Sequence, residues 1–233
     1  MRLASVIAVL AAAALVLPAA ASSQARGRAL FLEGCASCHG VDARGIANRG
    51  PSLRGAGAAA ADFYLSTGRM PLAQPEDQPL RSEPEYSSSE IDALVEYVGS
   101  LGGPGIPEVH PERGDLQLGM RLFAENCAGC HQVVGEGGIL TEAEAPKLHE
   151  ATPTEIAEAV RIGPYVMPRF GERQVDRREL DSIVRFVRDT RSPDDRGGWG
   201  LGHIGPVPEG MVAWLLAGGV LVLIARLIGR RAE

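Results

Sequence analysis

The pentapeptide CASCH at residues 35–39 returns as CAGCH at residues 127–131, and these two motifs contain all four cysteines of the chain. The similarity extends beyond the motifs. GRALFLEGC, which begins at Gly27, is similar to GMRLFAENC from Gly119, and EIDALVEYV from Glu90 is similar to ELDSIVRFV from Glu179. A repeat of this length indicates two copies of one structural unit, which begin and end alike.

The C-x-x-C-H spacing is the attachment signature of c-type haem, in which two thiols form thioethers with the porphyrin and the histidine ligates the iron. One helical turn brings the first and fourth residues to one face and directs the next residue at the metal. A zinc site, a thioredoxin-like redox pair and a disulfide are alternatives, but zinc needs ligands converging from both motifs, whereas each motif opens its own repeat. The sequence therefore predicts two covalently attached haem c groups. The predicted attachment residues are Cys35, Cys38, Cys127 and Cys130, and the predicted iron ligands are His39 and His131.

Each iron also needs a sixth ligand, for which methionine, histidine or an open position are the alternatives. Met70 in TGRMPL and Met167 in PYVMPRF occupy matched positions between the haem motif and the end of each repeat, and proline follows both. This match favours Met70 and Met167 as metal ligands over a role as core-filling methionines. The remaining histidines have no equivalent in the other repeat and are interpreted as solvated or interface residues. They are His110, His149 and His203.

Helical periodicity marks both ends of each repeat. The closing segments carry apolar residues at i, i+3, i+4 and i+7, starting from Ile91 and from Leu180. The opening segments place a glycine four residues before a phenylalanine, so a second helix can cross closely there. Tyr97 and Phe186 are the candidates to pack at these crossings. The middles of the repeats are predicted to be loops without strands, and the fold class is predicted to be mostly α.

Apolar segments lie near both ends of the chain. The first 25 residues have the layout of a secretory signal peptide, with Arg2, an apolar run and an alanine-rich stretch, although they are also long enough for an N-terminal anchor. Residues 210–229 are long enough for a transmembrane helix at about 1.5 Å per residue. Arg230 and Arg231 follow this segment, so the positive-inside rule predicts a cytoplasmic C-terminus and haem domains on the extracytoplasmic side of the cell membrane.

The charge of the chain restricts its partners. The formal net charge is −6 and Lys147 is the only lysine, which excludes nucleic acid as a partner and provides no basic docking ring. Residues 71–89 form a proline-rich extension of the first methionine loop. This extension is interpreted as solvated surface, with a docking element as the alternative.

Both repeats resemble class I cytochromes c in their opening helix, C-x-x-C-H motif, proline-containing loop, methionine loop and closing helix. In that family the carbonyl of a loop proline orients the ligand histidine, so the resemblance implies this role for Pro51 in GPSL and Pro146 in APKL. From Gly27 onward, with STGRMP, GPYVMPRF, GLGHIGPVPEG and one C-terminal anchor, the chain is similar to the dihaem cytochrome c subunits of the actinobacterial cytochrome bcc complex.

That resemblance implies an electron-transfer subunit of a menaquinol:cytochrome c reductase, a respiratory translocase, with no substrate chemistry of its own. The implied partners are the cytochrome b subunit, a Rieske iron-sulfur subunit as electron donor and a haem-copper cytochrome c oxidase as acceptor. A dihaem enzyme such as a cytochrome c peroxidase is an alternative, but it needs an open or displaceable ligand position. The dihaem subunit of another terminal oxidase is a second alternative, although that family is anchored at its N-terminus.

The predicted organisation follows from the repeats and the apolar ends. Two tandem class I cytochrome c domains precede one C-terminal transmembrane helix. The predicted segments are the signal peptide or N-terminal anchor (1–25), cytochrome c domain 1 (26–103), a linker (104–115), cytochrome c domain 2 (116–195), a Gly/Pro-rich juxtamembrane segment (196–209) and the transmembrane helix (210–229).

Overall fold

The computed structural model describes residues 23–191 and 206–231 of the 233-residue chain. The described residues up to 191 belong to one compact unit, and the C-terminal helix belongs to a second. The described residues are mostly helical, as predicted. Nearly all of the predicted N-terminal signal or anchor lies outside the described residues. His203 and most of the predicted juxtamembrane segment lie outside them as well.

Four helices form the first repeat and four the second, among the described residues. The first repeat contains α1 (23–34), α2 (Ala36–His39), α3 (Gly57–Ser66) and α4 (Ser88–Ser100). The second begins with a 3-10 turn (Pro111–Arg113) and contains α5 (Leu116–Asn126), α6 (Ala128–His131), β1 (Gly138–Ile139), β2 (Glu144–Ala145), α7 (Pro153–Ile162) and α8 (Arg177–Asp189). Each repeat has its own hydrophobic cluster, centred on its buried phenylalanine, Phe31 or Phe123.

The opening and closing helices cross where the sequence predicts. A Cβ atom added at Gly119 on α5 would lie 2.0 Å from the carbonyl oxygen of Ser182 on α8. Beside this contact the rings of Phe123 and Phe186 pack with their centroids 5.3 Å apart. The first repeat has the same arrangement at Gly27, Phe31 and Tyr97. Only glycine therefore allows the two backbones to approach this closely.

Gly119→Ala is expected to destabilise the second repeat by about 3 kcal/mol, since α5 and α8 must separate to admit the added methyl group. Thermal unfolding of the purified protein measures this, with a fall in Tm of roughly 10 °C expected. Gly105→Ala is the matched control, because a Cβ atom at Gly105 meets nothing within 4 Å. Equal melting temperatures for the two variants would contradict the close crossing.

Two helices lie where the sequence was predicted to form loops, so that prediction is wrong for α3 and α7. Helix α7 begins with a capping box, in which the Thr152 hydroxyl accepts from the N–H of Glu155 and the Glu155 carboxylate accepts in return. Pro153 at its first position favours the same start. Helix α3 contains four consecutive alanines, which have the highest helix propensity, directly after the glycines that indicated a loop.

The prediction that strands are absent is also wrong, on a small scale. β1 and β2 pair antiparallel in the loop after the second haem motif, with Gly138 opposite Ala145 and Ile139 opposite Glu144. Strands of two residues each are too short to leave an alternating pattern in the sequence. Their effect is to position Ala145 and the residues that follow it beside the second motif.

The C-terminal helix α9 (Pro206–Arg231) is long and apolar enough to cross a membrane. Its candidate span, Gly210–Arg230, has 21 residues and a mean hydropathy of 2.3. At about 1.5 Å per residue this is about one hydrocarbon thickness. The span fits a subunit that is anchored to a membrane at its C-terminal end.

Candidate haem sites

The histidines of the two motifs are held in equivalent ways. His39 is the last residue of α2, and its Nδ1 lies 2.8 Å from the carbonyl oxygen of Pro51. His131 is the last residue of α6, and its Nδ1 lies 3.0 Å from the carbonyl oxygen of Pro146. A carbonyl oxygen only accepts, so Nδ1 carries a proton in both rings and Nε2 is the nitrogen that could ligate a metal. Both imidazoles are oriented in the same way, through the proline contacts that the resemblance implied.

The local charge state supports metal ligation by His131. Burial lowers the pKa of His131, and the contact with the Pro146 carbonyl opposes this shift only in part. The ring is therefore neutral at pH 7, as a metal ligand must be. His131 is buried within the second repeat.

In each motif the two cysteines lie one turn apart. The first directly precedes the short helix, and the second lies within it. In the second motif the N–H groups of Cys130 and His131 both donate to the carbonyl oxygen of Cys127, at 3.1 and 2.9 Å. All four cysteines have free thiols. Burial raises the pKa of Cys127 to about 11, and burial likewise raises the pKa of Cys35. The thiols of Cys35 and Cys127 are therefore uncharged at neutral pH.

The alternatives to haem attachment fit the described residues less well. Neither motif contains a disulfide. Within residues 23–191 and 206–231, no cluster of three or more His, Cys, Asp or Glu side chains could hold a metal ion. The convergent ligand set that zinc requires is therefore not found in the described part of the chain.

One cavity brings the predicted site residues of the second repeat together. Cys127, Cys130, His131 and Met167 all line it. Apolar side chains from α5, α7 and α8 form much of the remaining wall, including Phe123, Ile156, Val160, Ile183 and Val187. Two thiols, an imidazole and a thioether around an apolar space fit a covalently held haem c.

In the first repeat two of the four corresponding residues border the hydrophobic cluster. Cys35 and Met70 are half-buried and both pack against the cluster that contains Phe31. The N–H of Met70 donates to the carbonyl oxygen of Tyr64 at 3.1 Å, which ties the methionine loop to the end of α3. The four chemical groups are the same as in the second repeat, so the first repeat fits haem c by its donor set.

The other described histidines are engaged by protein groups. His149 Nε2 lies 2.8 Å from the carbonyl oxygen of Val134, and its Nδ1 lies 3.5 Å from the Glu136 carboxylate. His110 Nδ1 lies 3.2 Å from the Glu112 carboxylate. These contacts agree with the interpretation of both as solvated or interface residues.

The proline-rich extension of the first methionine loop contacts the second repeat. The interpretation of this extension as solvated surface is therefore wrong for the residues that make these contacts. The amide of Gln78 donates to the carbonyl oxygen of Glu144 at 2.7 Å and accepts from its N–H at 2.9 Å. Arg81 forms a salt bridge with Glu155 on α7. Gln78, Pro79, Leu80 and Arg81 also line the second cavity. Most of the extension is exposed, but these four residues dock on the second repeat.

A buried acid lies where the two repeats meet through α3 and α7. Glu158 is fully buried, and burial together with the nearby carboxylate of Asp62 raises its pKa to about 9. Two ionised carboxylates cannot hydrogen bond, and the Glu158 oxygens then have no partner among the described residues. A proton on Glu158 removes its charge and allows it to donate to Asp62. The interface therefore holds a neutral acid at pH 7, which no sequence pattern indicated.

Comparison with known proteins gives two matches to sequence families, one for each repeat. Residues 24–102 match the family described as "Cytochrome c", and residues 114–187 match "Cytochrome C oxidase, cbb3-type, subunit III". Two cytochrome c-type domains are therefore present, and they indicate that the chain binds haem c.

Similarity to individual proteins extends over most of the chain. A "Cytochrome bc1 complex cytochrome c subunit" of Corynebacterium diphtheriae is 37% identical, over 88% of this chain and 80% of the relative. The subunit of the same name from Mycobacterium leprae is 39% identical, over 88% of this chain and 75% of the relative. A "Cbb3-type cytochrome c oxidase subunit CcoP" of Azospirillum sp. is 27% identical, over 72% of this chain and 62% of the relative.

Proposed function

Because the chain belongs to the family of cytochrome c subunits of the actinobacterial cytochrome bc1 complex, we propose that it is the dihaem electron carrier of a menaquinol:cytochrome c reductase. It accepts electrons from a Rieske iron-sulfur subunit and delivers them to a haem-copper cytochrome c oxidase. Both partners and the cytochrome b subunit assemble with it in one respiratory complex. The chain is a subunit of this translocase and carries out no substrate chemistry of its own.

The observation that carries this proposal is the convergence of Cys127, Cys130, His131 and Met167 around one apolar cavity. When bound there, haem c supplies an iron that gains and loses one electron. The cysteines would hold the porphyrin covalently, His131 would present Nε2 to the iron, and Met167 would present its thioether sulfur. The apolar wall would keep water away from the metal.

The first repeat has the same assignment. We assign Cys35 and Cys38 to covalent attachment, and His39 and Met70 to the iron. The matched hydrogen bonds from the two histidines to proline carbonyls support equal roles for the two motifs. A histidine and a methionine together would leave no open position on a haem iron, which favours electron transfer over reaction with a substrate.

The domain organisation that we propose has two tandem class I cytochrome c domains. They span 26–103 and 116–195, are joined by a linker at 104–115, and follow a signal peptide or anchor at 1–25. A juxtamembrane segment at 196–209 leads to a transmembrane helix at 210–229. Arg230 and Arg231 end the helix, which supports a cytoplasmic C-terminus and haem domains on the outer side.

A terminal-oxidase subunit is the second candidate, since the second repeat matches the cbb3-type subunit III family. The similarity to the cbb3-type subunit of Azospirillum sp. is weaker and covers less of the chain than the similarity to the bc1 complex subunits. The candidate membrane helix lies near the C-terminus, whereas the resemblance to dihaem subunits of terminal oxidases implies an N-terminal anchor. The bc1 assignment is therefore favoured.

Affinity purification through a tag after Glu233 tests both the assembly and the cofactor content. We expect cytochrome b, a Rieske protein and haem-copper oxidase subunits to co-purify. The pyridine haemochrome should give two c-type haems per chain, neither of them extracted by acid acetone. The matched control replaces Cys127 and Cys130 with serine and should retain one haem. Recovery of one haem from the unaltered chain, or of zinc, contradicts the proposal.

A further inference from the structure

A buried cation faces the second cavity from the first repeat. Arg69 directly precedes Met70, and only 8% of its surface is exposed. Its guanidinium carbon lies 4.8 Å from the centroid of the Phe63 ring. Its Nη1 is buried and has no hydrogen-bond partner among the described residues. The carboxylate that acts on Arg69 from nearby, Glu155, is bonded to Arg81. A buried guanidinium without its own anion is costly, so this position favours a further negative partner.

The location of Arg69 indicates where that partner lies. Arg69 and Phe63 both line the cavity that contains Cys127, His131 and Met167. The wall of a second-repeat site therefore includes a positive charge from the first repeat.

Backbone hydrogen bonds to α3 fix the position of the loop at Arg69. Its N–H donates to the carbonyl oxygen of Tyr64 at 2.9 Å, and the N–H of Met70 donates to the same oxygen. Two successive N–H groups of the first methionine loop therefore bond to one residue of α3.

The other cations on the described cavity wall are already paired. Arg81 forms a salt bridge with Glu155, and Lys147 lies 2.7 Å from the Glu136 carboxylate. Arg69 has no salt bridge within 4.0 Å among the described residues. Haem c carries two propionate carboxylates, and a planar guanidinium binds a carboxylate through two parallel hydrogen bonds.

We propose that Arg69 of the first repeat binds a propionate of the haem attached in the second repeat. This inference rests on the proposed function, because it requires a haem at Cys127 and Cys130. The first repeat then completes the second haem site. The residue adjacent to the proposed first-haem ligand Met70 contacts the second haem, which gives the two sites a short covalent connection.

Arg69→Gln in the purified complex tests this role by redox titration. A positive charge at the propionate stabilises the reduced state, so its loss should change the reduced-to-oxidised ratio of the second haem about tenfold, a fall in midpoint potential of about 59 mV for one electron. The second haem is identified as the one whose potential also moves in Met167→Ala. Arg28→Gln, at an exposed arginine of the first repeat, should leave both potentials unchanged.

A haem count of the same samples separates the two proposals. Two haems per chain with no shift at the second haem, or a shift at the first haem alone, overturns the role of Arg69 and leaves the proposed function standing. Absence of the second haem from the unaltered chain overturns both.

Arg69→Lys provides an independent measurement if Arg69→Gln fails to acquire its second haem. Lysine keeps the charge but cannot form the paired hydrogen bonds. We expect two haems, a smaller fall in potential, and a shifted propionate bending band for one haem in the resonance Raman spectrum. An unchanged propionate band in Arg69→Lys shows that Arg69 only packs on Phe63 and contradicts the proposal.

Discussion

Met167→Ala is expected to lower the midpoint potential of one haem by roughly 0.2 V and to leave the other unchanged. The soft thioether sulfur of methionine stabilises reduced iron, and its loss favours the oxidised state. The variant should also lose half of the methionine-to-iron charge-transfer absorption at the red edge of the spectrum. Spectroelectrochemical titration of the purified complex measures both effects.

Met70→Ala should produce the same change at the other haem, because the two methionines hold matched positions in their repeats. Met120→Ala is the matched control, since Met120 is 53% exposed on α5 beside the second haem motif. It should leave both potentials and the charge-transfer band intact. An unaltered spectrum in Met167→Ala or Met70→Ala would exclude that methionine as a ligand. Another side chain, such as His149, would then have to be the sixth ligand.

The ends of each repeat could be predicted from the sequence because their signals are local. Gly119 and Phe123 lie four residues apart on one helical face, and Phe186 lies on α8 beside its apolar stripe. A glycine on that face has no side chain, so the backbone of another helix can approach closely there. The structure places Phe123 and Phe186 in that contact.

The middles of the repeats are harder to predict, because glycines that indicate turns lie directly beside residues that favour helices. Gly55 and Gly57 both have φ near +83°, so they do form turns, but α3 begins at Gly57 itself. In the second repeat, Thr152 and Glu155 carry a complete capping signal for α7. That signal predicts a helix that begins at Pro153, where α7 does begin.

The contacts between the repeats could not be predicted, because nothing local determines them. Gln78 pairs with Glu144 across 66 positions of the sequence, and Arg81 pairs with Glu155 across 74. Glutamine and arginine in a proline-rich segment are usual surface residues. The raised pKa of Glu158 could not be predicted from the sequence either, because it arises from burial and from Asp62 on the facing helix. Such pairs become visible only when the two repeats are placed together.

Under the proposed function, electron flux should depend on both haems, because each would be a necessary step between a fixed donor and a fixed acceptor. A diffusing carrier needs one haem and a docking surface that binds and releases, whereas this chain has two haem motifs, a net charge of −6 and a candidate membrane helix. Tethering replaces diffusion with a high local concentration, and the second haem extends the reach of the subunit. Membranes washed with salt to remove soluble cytochromes should therefore oxidise menaquinol with oxygen at nearly the unwashed rate.

Replacing either ligand histidine should abolish that flux in the washed membranes. His39→Ala and His131→Ala each remove one proposed iron ligand and the hydrogen bond to Pro51 or Pro146 that orients it. His110→Ala is the matched control, because His110 contacts Glu112 and lies outside both motifs, and it should retain the full rate. Oxygen consumption with a menaquinol analogue measures the flux. If washing alone stops respiration and a small added cytochrome c restores it, the two haems do not bridge donor and acceptor, and the repeat needs another explanation.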